Sequence, residues 1–120
     1  MFVESAPILP TVDMAASISF WRGLGLNLIF SDADDPGKAR HVTLEKEGLS
    51  IHLELSDASA GNPAPKIRVN LASKAAVIAL HEDMLARGLI SGQLRERDWA
   101  DLVFNFRSPE GAEFFCYVAT

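Results

Sequence analysis

The sequence is poor in cysteine, in basic residues and in long apolar runs. Its single cysteine, Cys116, excludes an internal disulfide and a cysteine-based zinc site. Its net charge of −5 argues against nucleic acid as a partner, because nucleic-acid-binding surfaces are basic. No apolar run is long enough to cross a bilayer, and the N-terminus lacks a basic region followed by a hydrophobic one. We therefore expect a cytoplasmic protein that binds neither membranes nor nucleic acid.

The last twenty or so residues, Asp98–Tyr117, predict a β-hairpin. Apolar residues recur at every second position on both sides of Ser108-Pro109-Glu110-Gly111, the period of a half-buried strand. Proline fixes one backbone angle of that turn and glycine supplies a positive one. The hairpin therefore has one apolar face, which includes Cys116 as a buried thiol, and one mixed face.

The two halves of the chain follow the same order of predicted elements. The first half has strands over residues 5–12, 26–30, 40–46 and 49–55, with a helix that begins after Asp13. The second has strands over 66–71 and 90–95, the final hairpin, and a helix from Ser73 to about Arg87. We expect an α+β fold of two βαβββ repeats, residues 1–57 and 66–120, joined by a linker over 58–65. The repeats form a curled mixed sheet around a cavity, with a helix on each apolar face.

Strand alternation then predicts which side chains face that cavity. They are polar or aromatic residues that alternate with core residues, and Trp99 lies at the rim: His41, His52, Glu54, Arg68, Asn70, Asn105, Arg107, Glu113, Phe115 and Tyr117. Each has a structural alternative. His52 and Glu54 are more often simply the polar side of a sheet than metal ligands, and the arginines can pair with the carboxylates across strands. Trp99 can instead anchor a dimer.

The pattern resembles the vicinal oxygen chelate superfamily, which includes glyoxalases, extradiol dioxygenases and bleomycin resistance proteins. The resemblance rests on Leu9-Pro10-Thr11-Val12-Asp13 before Ser19-Phe20-Trp21-Arg22-Gly23-Leu24-Gly25-Leu26, and on the Ser108–Gly111 turn. Trp99, ten residues before Pro109, resembles the bleomycin resistance branch, in which a tryptophan at this distance lines the drug crevice.

The resemblance implies four metal-ligand positions, on the first and last strand of each repeat. They fall on Ala6, on Glu54, near Arg68–Asn70 and on Phe115, and among these only Glu54 is a competent ligand. We therefore expect no metal and no other cofactor.

Three functions remain open at this point. The favoured one is non-catalytic binding of a small cationic or aromatic molecule, in a homodimer as the resemblance implies. The ligand would contact Trp99, Phe115, Glu54, His52, His41, Arg68, Asn105, Arg107, Glu113 and Tyr117. The alternatives are a metal-dependent lyase or dioxygenase that uses His52 and Glu54, and a protein-interaction or regulatory module with a vestigial cavity.

Overall fold

A computed structural model describes residues 1–57, 65–90 and 92–119 of the chain. The chain divides into two compact units, residues 1–63 and 64–120. Each unit contains one α-helix and one four-stranded mixed sheet, so the predicted pair of βαβββ repeats is confirmed. Most of the predicted linker, residues 58–64, lies outside the described residues.

The first unit is a sheet covered by one helix. Its elements are β1 (Ile8–Thr11), α1 (Met14–Gly23), β2 (Asn27–Ser31), a short 3-10 turn (Pro36–Lys38), β3 (His41–Lys46) and β4 (Leu49–Leu55). The strand order is β1-β4-β3-β2, with β1 parallel to β4 and the other pairs antiparallel. The strand predicted over residues 5–12 is therefore shorter than expected, and it lies at the sheet edge, where the missing N–H of Pro10 disrupts least.

The core of the first unit lies between α1 and the sheet. The Asp13 side chain accepts a hydrogen bond from the Ala16 backbone N–H, which caps the helix as predicted. Trp21 is completely buried, as are Val42, Leu44, Ile51 and Leu53 on the strands. Because these strand residues occupy one side, the alternating residues His52 and Glu54 project from the opposite, open side of the sheet.

The second unit repeats this arrangement. Its elements are β5 (Lys66–Asn70), α2 (Lys74–Ala86), β6 (Arg95–Arg97), β7 (Ala100–Arg107) and β8 (Glu113–Ala119). The strand order is β5-β8-β7-β6, and β5 is parallel to β8. The Ser73 hydroxyl caps α2 by accepting from the Ala76 N–H, and α2 contacts β7 and β8. The predicted turn is confirmed: the Gly111 N–H donates to the Ser108 carbonyl, with φ of 87° at Gly111.

One strand prediction was wrong. The strand expected over residues 90–95 is Arg95–Arg97 instead, and Ile90 makes only an isolated bridge to Phe106. Gly92 is not part of a strand, and its backbone N–H donates a hydrogen bond to the Asn105 carbonyl. The predicted segment has only two apolar residues, Ile90 and Leu94, and so few do not specify where a strand pairs.

Candidate functional site

The open face of the second sheet is built from alternate residues of three neighbouring strands. On β8 these residues are Glu113, Phe115 and Tyr117, while Phe114 and Cys116 between them are buried in the core. The sheet register places Arg68 of β5 and Asn105 of β7 on either side of Phe115. Phe115 therefore lies between a guanidinium-bearing residue and an amide-bearing residue on one face of the sheet.

An arginine and two aromatic rings meet at one end of this face. The Trp99 and Tyr117 rings are 5.3 Å apart with an interplanar angle of 72°, an edge-to-face arrangement. The Arg68 Cζ atom lies 4.3 Å from the Trp99 centroid and 4.8 Å from the Tyr117 centroid. Both distances are within cation–π range, so the two rings together hold the guanidinium. Trp99 nevertheless remains 39% exposed, just before β7.

A hydrogen-bonded chain of polar side chains occupies the other end of the face. Asn105, only 8% exposed, donates through Nδ2 to Glu113 Oε1 at 2.8 Å and accepts through Oδ1 from Arg95 Nη1 at 3.0 Å. Arg107 donates to Glu113 Oε2 at 3.3 Å and to the Gly111 carbonyl at 3.0 Å. Each oxygen of the Glu113 carboxylate is thus bonded within the unit, and the ion pair with Arg107 partly offsets its charge, which weakens its attraction for a cationic ligand.

Gly92 allows the polar chain to form. A Cβ atom at position 92 would lie 2.9 Å from Asn105 Cγ and even closer to Asn105 Oδ1, nearer than real Cβ contacts. Only glycine lets the Asn105 side chain occupy this position. Sequence reasoning missed Gly92 and Arg95, because both lie in the segment where the strand was misplaced.

The first unit carries a separate cluster on its open sheet face. His41 Nε2 and His52 Nδ1 lie 3.3 Å apart, within hydrogen-bond range for one protonated and one unprotonated ring nitrogen. Thr43 Oγ1 lies 3.5 Å from the same His52 atom. Glu54 is exposed and is the register partner of His41 on the neighbouring strand. The ten predicted ligand contacts therefore form two groups, three in the first unit and seven in the second.

The buried thiol is separate from both groups. Burial raises the pKa of Cys116 to about 12, because the thiolate would lose its solvation in the core. Cys116 is therefore a packing residue and not a nucleophile.

Comparison with known families identifies the fold of the whole chain. The family model described as the Glyoxalase/Bleomycin resistance protein/Dioxygenase superfamily matches residues 5–114. The chain belongs to this superfamily. The resemblance predicted from the Asp13 segment and the Ser108–Gly111 turn is thereby confirmed. None of the curated proteins compared with the chain matches it.

Solved structures of the superfamily differ in what they bind or catalyse. The bleomycin-binding protein of Streptomyces verticillus, solved with copper(II)-bleomycin, has a TM-score of 0.73 and 22% identity, covering 100% of this chain and 98% of that one. A genomically encoded fosfomycin resistance protein of Listeria monocytogenes has a TM-score of 0.76 and 17% identity, covering 100% and 95%. A lactoylglutathione lyase of Agrobacterium tumefaciens has values of 0.75 and 15%, covering 97% and 92%. At these identities the likeness establishes the fold alone.

The metal positions that the superfamily implies do not suit a metal in this chain. The strand register pairs Phe115 with Arg68, within the range Arg68–Asn70 expected for the position on β5. With Ala6 and Glu54, the set holds one carboxylate, a methyl group, a phenyl ring and, at Arg68 or Asn70, a guanidinium or an amide. Over residues 1–57, 65–90 and 92–119, no three His, Cys, Asp or Glu side chains form a group that could hold a metal ion.

The described residues form the helices α1 and α2 and one short 3-10 turn. None of them combines the length and the apolar character that crossing a bilayer requires.

Proposed function

We propose that this protein binds a small planar molecule without metal catalysis, and that the open face of the second sheet is the binding surface. The observation that carries the proposal is the grouping of Trp99, Tyr117 and Phe115 beside bonded polar groups on one face. Ring surfaces provide contact area at low entropic cost, and a few oriented polar groups supply specificity. Arg68, Asn105, Arg107 and Glu113 are the polar members of this surface.

The sequence predicted a cationic or an aromatic ligand, and the geometry favours the aromatic one. A cation that stacked on Trp99 would compete with Arg68, which already lies over this ring. It would also find Glu113 bonded to Asn105 and Arg107. We therefore retain a planar aromatic ligand for the second unit, and keep His41, His52 and Glu54 as proposed ligand contacts on the first unit by itself.

A screen with two arms tests the proposal. One arm adds planar aromatic compounds to the protein, and the other adds Mg²⁺, Mn²⁺, Ni²⁺ or Zn²⁺, while thermal unfolding is followed. A specific ligand at 100 times its dissociation constant adds about 2.7 kcal/mol to the free energy of unfolding, a readily measured shift. For a hit, the Trp99 indole N–H resonance should move while that of buried Trp21 stays in place. Silence in both arms would reject the proposal and favour the interaction module.

The histidine pair supports a second candidate, a metal-dependent lyase or dioxygenase. Two nitrogens bound to one tetrahedral zinc ion are about 3.3–3.4 Å apart, and His41 Nε2 and His52 Nδ1 are 3.3 Å apart. This candidate needs further ligands, because the described residues bring no third His, Cys, Asp or Glu side chain close enough to complete a metal site. Elemental analysis distinguishes the two candidates: we expect no stoichiometric divalent metal in purified protein, and about one ion per chain would replace our proposal with this one.

We further propose that the protein is a cytoplasmic homodimer. β1 and β2 are the outer strands of the first sheet, and they expose Ile8, Ile29 and Phe30. Exposed strand edges with apolar side chains are normally covered by another chain or element. The single cysteine suits a reducing compartment.

A further inference from the structure

Arg68 differs from the other arginines on the open face of the second sheet. Arg107 donates to Glu113 and to the Gly111 carbonyl, and Arg95 donates to Asn105 and to the Gln93 carbonyl. Within the described residues, Arg68 makes only its two ring contacts, and no oxygen accepts a hydrogen bond from it. Its guanidinium is therefore held beside two rings while its N–H donors make no hydrogen bond within the described residues.

This arrangement is the one that suits an oxyanion. Guanidinium donors point outward in the plane of the group, and they match the two oxygens of a carboxylate. Rings that contact the guanidinium limit its motion, so that less rotational freedom is lost when a ligand binds. Trp99 and Tyr117 restrict the guanidinium of Arg68 in this way.

The charged residues around Arg68 also favour an anionic ligand. The register pairs around Phe115 bring together Lys66, Arg68 and Arg107 with one carboxylate, Glu113. Both Glu113 oxygens accept hydrogen bonds from neighbours. This face is therefore locally cationic in a chain whose net charge is −5, and it favours an anion over a cation.

We propose that the second unit binds a planar aromatic carboxylate. The carboxylate would pair with Arg68 and the ring would lie against Phe115, the register partner of Arg68. This inference rests on the proposed function and adds the charge of its ligand. It assigns Arg68 as the residue that determines specificity, a role beyond its contact with the two rings.

Three isosteric probes test the charge of the ligand. They are naphthalene-2-carboxylate, naphthalene-2-carboxamide and naphthalene-2-carboxamidine, which carry charges of −1, 0 and +1. Each is titrated into the full chain while the Trp99 and Trp21 indole N–H resonances are followed. We expect the carboxylate to bind at least about tenfold more tightly than the amide, the scale of one charge-assisted hydrogen bond. The amidine should bind most weakly.

Variants separate Arg68 from general electrostatics. Arg68→Gln should lower affinity for the carboxylate by about tenfold and leave affinity for the amide nearly unchanged. Arg68→Lys keeps the charge but loses the planar donors. This variant should therefore retain only part of the preference for the carboxylate over the amide. The matched control is Arg87→Gln, an equal charge change at an exposed helix end where the arginine pairs with Asp83. It should bind all three probes like the unaltered protein.

The failures of the two proposals are distinguishable. If the amidine binds as well as or better than the carboxylate, the inference about charge is refuted while the planar-ligand function stands. The same holds if Arg68→Gln and Arg87→Gln have equal effects on the carboxylate. If no probe moves the Trp99 resonance, the second sheet is not the binding surface, and both proposals are refuted.

Discussion

The two tryptophans allow the same substitution to be made in opposite environments. Trp21 is completely buried, and its ring meets that of Phe20 edge-on with centroids 5.1 Å apart. Trp99 is 39% exposed and contacts Tyr117 and Arg68. Replacing each with alanine therefore separates a core ring from a proposed ligand contact.

The expected losses of stability differ because the two rings lose different contacts. Truncating a buried aromatic residue costs about 3–5 kcal/mol in the free energy of unfolding, and we expect this cost for Trp21→Ala. Trp99→Ala loses one aromatic pair, about 0.5–1.5 kcal/mol. It also loses an exposed cation–π contact of about 0.5–1 kcal/mol. These two contacts together contribute roughly 1–2.5 kcal/mol, and the partly exposed ring also loses less buried area than Trp21 does, so this variant should still fold.

The expected effects on binding are reversed. Trp99→Ala should weaken the binding of a planar compound from the screen by about tenfold, equivalent to about 1.4 kcal/mol. Trp21→Ala, studied at a temperature where it remains folded, should bind nearly normally. Urea unfolding followed by circular dichroism measures the stabilities, and isothermal titration calorimetry measures the affinities. Trp99→Phe is the matched control, since it keeps a ring beside Arg68 and Tyr117.

Two results would refute this reasoning. If Trp99→Ala unfolds or dissociates the protein, Trp99 is a core or interface anchor and not a ligand contact. If Trp99→Ala binds the compound normally, the ligand lies elsewhere, and the similarity to the drug crevice of bleomycin resistance proteins has no functional meaning here.

Three further predictions concern the Cys116 thiol, Gly92 beside the Asn105 side chain, and the oligomeric state. Because burial raises the pKa of Cys116 from 9.0 to about 12, the native protein at pH 8 should resist iodoacetamide that modifies it rapidly in urea. The same shift stabilises the fold below about pH 9, and this contribution should disappear as the pH rises toward 12. Rapid alkylation of the native protein would contradict the burial. Gly92→Ala should displace Asn105 and cost roughly 1–3 kcal/mol by urea unfolding, whereas Gly48→Ala, where a Cβ meets nothing within 4 Å, should cost much less. Light scattering at micromolar concentration should give the mass of a dimer, and a monomer mass would reject that assembly.

Local patterns in the sequence were enough to predict the elements and their faces. The caps Asp13 and Ser73, the turn before Gly111 and the alternation along β8 each depend on neighbours a few residues away. The period of two along a strand decides which side chains share a face, whatever the rest of the chain does. The α+β repeats, the buried Trp21 and the open-face position of Phe115 followed from such patterns.

The tertiary structure alone decided which polar groups on each face meet. Arg68 lies over Trp99 although 31 positions separate them in the chain, because β5 pairs with β8, whose Tyr117 contacts Trp99. The sequence left open whether Arg68 and Glu113 are free or paired, and the structure bonds Glu113 to Asn105 and Arg107 while Arg68 keeps its donors. Long charged side chains can reach several partners, and the pairing of strands distant in sequence selects among them. For this reason the ligand predicted from the sequence, cationic or aromatic, became an inferred aromatic carboxylate.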